Sequence, residues 1–525
     1  MNRTFRWLKN RKFDVLAVVI LLAVAGTVGA LNMQGYPQRF EDEGTYVSQA
    51  FAVQKQHTLA HYTYWYDHPP VGWIQIAGYT TATHAFDRYP SAISAGREFM
   101  LVLHLVTVLL LYALARRVGI GGIAASCGVL LYVLSPLTIE FSRYVLLDNV
   151  ALPWLLGAFY LALSKRHGLA SAIGSAVCMA IAILSKETLV ILLPVVLFAL
   201  WHYGDRRNRR YIVTAFGVIF AMVSGAYVLY AALKNELLPG SGHVSLLGTL
   251  YWQIFGRVGS GSVLDPNSAT RGLIDYWLHI DQWFIFTGIA TLPISLAVRA
   301  WRPFGLALLI GVALLLRTGY LPYPYIIAVL PFAALTLAAA IQKLIVNPLT
   351  NRHVGLKFST LRISSAVMAI VLLVTAVSVV GPVWQSKIHA QTSTDNDASS
   401  RQAVNYVNTF ISRQNRLVVE SALWTDIQQD GFQVPQPVWL YKTETDPAVT
   451  KAIGGWQGID YVILNGPTVS QHSAKDFPTV YEAISHAKIV ASFGQNNQKI
   501  LIYKVDHSQQ FASSAKDILF DANSR

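Results

Sequence analysis

Apolar positions along this chain gather into eleven long runs, near residues 13–31, 99–115, 123–139, 149–163, 169–184, 188–201, 211–233, 283–298, 304–316, 325–341 and 363–382. A bilayer core is crossed by about 20 helical residues, so the runs predict a bundle of membrane helices. Runs 304–316 and 325–341 are short enough for a re-entrant pair, and losing both leaves the parity of the count unchanged. Arg3, Arg6, Lys9, Arg11 and Lys12 precede the first run. Its length and the spans after it predict a retained helix and not a cleaved signal peptide. After residue 382 the pattern changes. Segments 416–420, 459–464 and 499–505 are β-rich and bounded by Gly, Asn or Asp, which predicts strands. Segments 399–412 and 478–487 have the spacing of amphipathic helices. The expected architecture is a mainly α membrane domain, 1–382, of about 11 transmembrane helices with an outer loop at 32–97, then a small external α/β domain, 383–525.

Composition agrees with this pattern. Only 13% of the 525 residues are charged and 53% are apolar, where soluble domains carry about 25% charged residues. Disorder, collagen-like repeats and disulfide scaffolds are excluded. Cys127 and Cys178 lie within apolar runs and are expected to be free thiols. The net charge of +13 is carried entirely by the apolar part, because residues 383–525 hold 12 basic and 13 acidic residues. Threading eleven spans from a cytoplasmic N-terminus places 19 of the remaining 29 basic residues inside, including Arg116, Arg117, Lys165, Arg166 and Arg206 to Arg210. It places 13 of the 15 acidic residues outside. This is the positive-inside pattern of a plasma-membrane protein. It is not a nucleic-acid footprint, which needs a basic groove with interleaved aromatics.

The candidate chemistry lies at the outer ends of the spans. Loop 32–97 opens with Glu41-Asp42-Glu43, three adjacent carboxylates that repel one another and call for a cation or a cationic partner. The same loop carries Tyr64-Trp65-Tyr66-Asp67-His68-Pro69-Pro70, aromatics suited to the headgroup level beside a rigid turn. Glu140, Arg143 and Asp148-Asn149 follow the third span, Lys186-Glu187 the fifth, and Arg317 the ninth. Ionisable groups in or beside spans are costly and mark function unless they snorkel or pair with each other.

Taken in order, Asp42-Glu43, His68-Pro69-Pro70-Val71-Gly72, Arg143-Tyr144 through Asp148, and Ser185-Lys186-Glu187 resemble glycosyltransferase family 39. That family contains the protein O-mannosyltransferases and bacterial aminoarabinose transferases, of the GT-C membrane fold. The resemblance covers roughly residues 1–340 and lies closer to the bacterial members, and the tail carries no matching motif. It implies a GT-C-like bundle and transfer of a sugar from a polyprenyl-phosphate donor to an acceptor hydroxyl on a protein, lipid or glycan, with inversion. Asp42 matches the catalytic base, with Glu43 supporting it. Lys186, Arg143 and, by position only, Arg317 are the expected donor-phosphate partners, and Asp67, His68, Asp148 and Glu187 the expected substrate-binding residues.

A lipid-phosphate sugar brings its own leaving group, so a base and phosphate-holding cations suffice. No cofactor is required by this scheme, while Glu41, Asp42, Glu43 and Asp148 form an alternative set for a divalent cation. The competing class is a polytopic transporter or lipid flippase. Such proteins place ionisable groups at mid-membrane in repeated halves, and this chain shows no repeat.

Overall fold

The computed structural model describes residues 3–164, 168–203, 207–350, 356–432, 437–466 and 474–508. Lys165, Arg166 and Arg206, counted among the inside basic residues, lie outside them, as do Asp205 and Arg352. Each of the eleven apolar runs coincides with helix. Among the described residues seven helical stretches are long and apolar enough to cross a bilayer. The pair Gly122–Leu134 and Pro136–Arg143, bent by 64°, makes an eighth, and Leu147–Ala162 and Glu187–Tyr203 are apolar but shorter. The bend lies at Ser135-Pro136, where proline cannot donate to the helical ladder and the Ser135 hydroxyl takes over the Thr138 N–H.

The chain is a multi-pass membrane protein. Its bundle is tightest around Leu147–Ala162, where Val150, Leu155 and Phe159 are buried, and around Leu330–Ile341. The rim is apolar outward: Met222 and Leu233 on Arg209–Leu233, and Ile370 and Leu373 on Leu356–Thr375, are exposed to what would be lipid. The eighth run departs from expectation. Its helix, Ala269–Ala290, starts well before residue 283 and is interrupted at Asp281, whose backbone is extended. The Asp281 carboxylate accepts from Phe284 N at 3.1 Å and so caps the second half.

Loop 32–97 is largely helical, with Glu41–Phe51 and Val71–Thr83 on either side of an aromatic turn. In the tail, strands β1 (Leu417–Val419), β2 (Val438–Trp439), β3 (Tyr461–Asn465), β4 (Ala487–Phe493) and β5 (Ile500–Val505) form one sheet in the order β2-β1-β3-β5-β4. β1 pairs in parallel with β2 and β3, while β5 runs antiparallel to β3 and β4, with Ile463 opposite Ile502. Alternation along the strands sends Val419, Ile463 and Ile502 into the core that is continuous with the bundle. Val418, Val462 and Leu501 go to a second core under helix Pro478–Ser485. The tail is therefore welded to the bundle by one face of its sheet.

Candidate active site

The helix Glu41–Phe51 presents the three acidic residues in its first turn, where the unsatisfied N–H groups favour negative charge. Successive helical residues point about 100° apart, so the three carboxylates diverge. Glu43 is fully buried, and Arg97 donates to both of its oxygens at 3.0 and 2.9 Å. It also accepts from Phe40 N and Val145 N, each at 3.0 Å. With its oxygens occupied, Glu43 cannot reach a substrate, and of the support expected from it only positioning of the loop remains. Glu41 turns toward the tail, where Tyr441 donates to its Oε2 at 2.6 Å. Its Oε1 is buried without a hydrogen bond. Burial, with Glu420 nearby, pushes its carboxyl up to about 8.

Asp42 is the remaining member. Half-buried, its carboxylate makes no hydrogen bond or ion pair among the described residues. Burial lifts its carboxyl above the usual aspartate range, against the pull of Lys186, His68 and Arg257, and Asp67 adds to the rise.

Those cations are held in place by the fold. Pro69 and Pro70 fix the approach to helix Val71–Thr83. Gly72 allows that helix to touch its neighbours: a Cβ there would stand 2.6 Å from Leu147 Cδ2 and 3.1 Å from Ser185 O. His68 is thereby set beside the break between helix Gly168–Ser185 and the turn Glu187–Leu192, where Lys186 is extended. His68 Nδ1 donates to the Glu187 carboxylate at 3.0 and 3.1 Å, and its Nε2 lies 3.5 Å from Lys186 Nζ. Burial is the largest influence on His68 and, with Lys186, works against the imidazolium, but the charge and hydrogen bond of Glu187 together with Asp67 leave its pKa above the ordinary value. Lys186, almost wholly buried, stands 3.8 Å from Asp148 Oδ2, which has no hydrogen-bond partner. The cluster thus joins Asp42, Asp67, His68, Asp148, Lys186 and Glu187.

Two expected phosphate partners are absent from it. The Arg143 guanidinium donates to the carbonyls of Val28 and Leu31 at 2.8 Å, Gln391 at 3.0 Å and Tyr36 at 3.3 Å. Its two terminal nitrogens are consumed in satisfying the end of the first helix and tying it to the tail, and its buried Nε has no hydrogen-bond partner among the described residues. Arg317 is exposed and donates to Tyr320 O at 2.6 Å. The arginine that does act on Asp42, after Lys186 and His68, is Arg257, whose Cζ lies 3.5 Å from the Tyr320 ring centroid. Its signal in the sequence is that the expected threading puts it in an outer loop, against the positive-inside bias. Tyr46 was also missed: buried at i+4 from Asp42, it meets the His68 ring edge-on at 6.0 Å between centroids. The alternative cation set is not brought together: Glu43 is bound to Arg97 and Glu41 to Tyr441, and no group of three potential ligands converges among the described residues.

The arrangement matches a known architecture. The structure of ArnT from Cupriavidus metallidurans bound to undecaprenyl phosphate superimposes with a TM-score of 0.59, covering 94% of this chain and 98% of that one at 14% identity. The fold is of the GT-C type. The Archaeoglobus fulgidus oligosaccharyltransferase, tethered with an acceptor peptide, shares this fold with a TM-score of 0.54 at 14% identity, over 92% of this chain and 74% of that one. Residues 67–230 match the model of the dolichyl-phosphate-mannose-protein mannosyltransferase family. No curated protein matches the chain by sequence. The GT-C bundle and the family match bear out the resemblance read from the motifs. The matched stretch contains His68, Asp148, Lys186 and Glu187, while Asp42 lies just ahead of it.

Proposed function

We propose that this chain is a membrane glycosyltransferase that moves a sugar, a hexose or pentose, from a polyprenyl-phosphate donor to an acceptor hydroxyl on the side of the membrane carrying the tail. The observation that carries the reading is a carboxylate, Asp42, without hydrogen bonds among the described residues, in the field of Lys186, His68 and Arg257 at the ends of membrane helices. In this scheme Asp42 takes the acceptor's proton as the hydroxyl oxygen bonds to the anomeric carbon. The bond from that carbon to the phosphate oxygen breaks on the opposite side, which inverts the centre. Lys186 and Arg257 receive the charge of the leaving phosphate. Asp148 and the Glu187–His68 pair hold Lys186 in place. The scheme assigns no role to a divalent cation. The relatives support it: one is described with undecaprenyl phosphate bound and another with an acceptor peptide. The reading places the protein in the cell membrane with a cytoplasmic N-terminus and the tail outside.

The test is Asp42→Asn, which keeps size and polarity but cannot take a proton. Turnover of labelled polyprenyl-phosphate sugars should fall by ~10²–10⁴ with donor binding retained. A loss below about tenfold would overturn the assignment.

A further inference from the structure

Apart from the cluster around Asp42, the molecule holds a polar cleft of about 250 Å³ between the interrupted helix Ala269–Ala290 and the stalk helix Gly381–Ser393. His279, Gln282, Trp283, Val383, Trp384 and Lys387 line it. Its depth follows from the sequence, since the apolar run 283–298 begins here and the run 363–382 ends here. The cleft therefore sits at headgroup depth, on the side that carries the acidic helix, because the stalk continues from it to Gln391, whose carbonyl accepts from Arg143 beside the end of the first helix.

The break at Asp281 gives the cleft its polarity. Freed from the helical ladder, the carbonyls of His279 and Ile280 accept from Lys387 Nζ, at 2.9 Å for Ile280. An ammonium has three N–H donors, so one remains for a ligand. Asp281 itself is turned inward and buried. It accepts from Ser135 Oγ at 2.6 Å and from Trp384 Nε1 and Phe284 N at 3.1 Å. At the mouth Lys387 and the exposed His279 and Gln282 side chains can donate, while the Asp281 carboxylate, which also lines the cleft and lies in the field of Lys387, has its oxygens occupied by these bonds. At headgroup depth the anionic acceptor that the bilayer presents to a cation is a lipid phosphate.

We propose that this cleft binds the phosphate of a lipid in the leaflet on the tail's side, with Lys387 as its cation, separately from the donor phosphate at Lys186. The full chain carrying Lys186→Met, which removes the cation of the reaction site, is purified from vesicles of phosphatidylglycerol, of phosphatidylcholine, or of phosphatidylcholine doped with a polyprenyl monophosphate. Retained lipid is then weighed by native mass spectrometry. A lipid should stay bound, and adding Lys387→Gln should weaken its retention by about tenfold or more. Val383→Trp, which fills the cleft and leaves every charge in place, should do the same if Lys387→Gln fails to fold. Retention from phosphatidylglycerol assigns the site to a bulk anionic lipid, and retention from the doped vesicles alone assigns it to the prenyl carrier. Retention unchanged by both substitutions, or no retained lipid in any vesicle, overturns the proposal.

Discussion

At the scale of single residues, three adjacent carboxylates have three fates, decided by what each one meets. Glu43 meets Arg97, a buried pair whose breaking costs about 3–5 kcal/mol. Among the described residues Asp42 meets only a field of charges, and Glu41 meets the hydroxyl of Tyr441 in the tail. Glu41 leads to a pH prediction. Its carboxyl is raised in the folded state to about 8 from 4.5, so the folded protein binds the proton more tightly than the unfolded chain. Its contribution to stability is fully present below the unfolded value and is lost as pH rises through about 8. Thermal unfolding followed from pH 5 to pH 9 should show this decline, and Glu41→Gln should flatten it while leaving turnover close to wild type. A Glu41→Gln protein with the same pH slope as wild type would assign the slope to another group.

At the scale of elements, the acidic helix is held by the tail. Gly44 lies against the start of helix Ser421–Gln429, and a Cβ there would stand 2.2 Å from Ser421 C and Ala422 N, backbone atoms that cannot step aside. Ser421 Oγ donates to Glu41 O at 2.7 Å. Arg39, buried, donates to Asp397 at 2.7 Å and Asp426 at 2.6 Å, both in the tail. Gly44→Ala should therefore push the acidic helix off the tail, costing about 1–3 kcal/mol and displacing Asp42. The expected result is a lowered Tm and a drop in turnover larger than any change in donor binding. Gly78, in helix Val71–Thr83, has nothing within 4 Å of its would-be Cβ. Gly78→Ala should be neutral or stabilising by about 0.4–1 kcal/mol, and equal damage from both substitutions would remove the steric explanation.

At the scale of the whole molecule, everything assigned to chemistry lies on one side of the bundle, with the tail covering it. The proposed topology puts that side outside the cell. In a variant without Cys127 and Cys178, a cysteine introduced at exposed Gln414 in the tail should react with an impermeant thiol reagent added to intact cells. One at exposed Asn208, before helix Arg209–Leu233, should react only after lysis. The opposite pattern would place Asp42, His68 and Lys186 in the cytoplasm and end the proposed orientation.

That the apolar runs become helices was legible in the sequence because partition into lipid depends on composition summed over a local window of about 20 residues. The expected count of eleven spans, however, exceeds the seven helices, or eight with the bent pair, that are long and apolar enough to cross among the described residues. The tail's three inner strands were legible because their apolar runs are short and bounded by turn residues. The flanking pair, Val438–Trp439 and Ala487–Phe493, was not, since the first spans two residues and the second has an exposed, uneven pattern. His68, Asp148, Lys186 and Glu187 could be chosen from the sequence because charge beside an apolar run is conspicuous wherever the chain later takes it. Their partners could not. That Arg143 serves carbonyls while Arg257 acts on Asp42, and that Glu43 is spent on Arg97, depends on contacts between segments far apart in the chain. The phase of one short helix, Glu41–Phe51, then decides which of three neighbouring carboxylates faces the cations. Local composition set where the charges lie along the chain, and only the tertiary fold, through helix phase and long-range hydrogen bonds, decided which of them remain free to act.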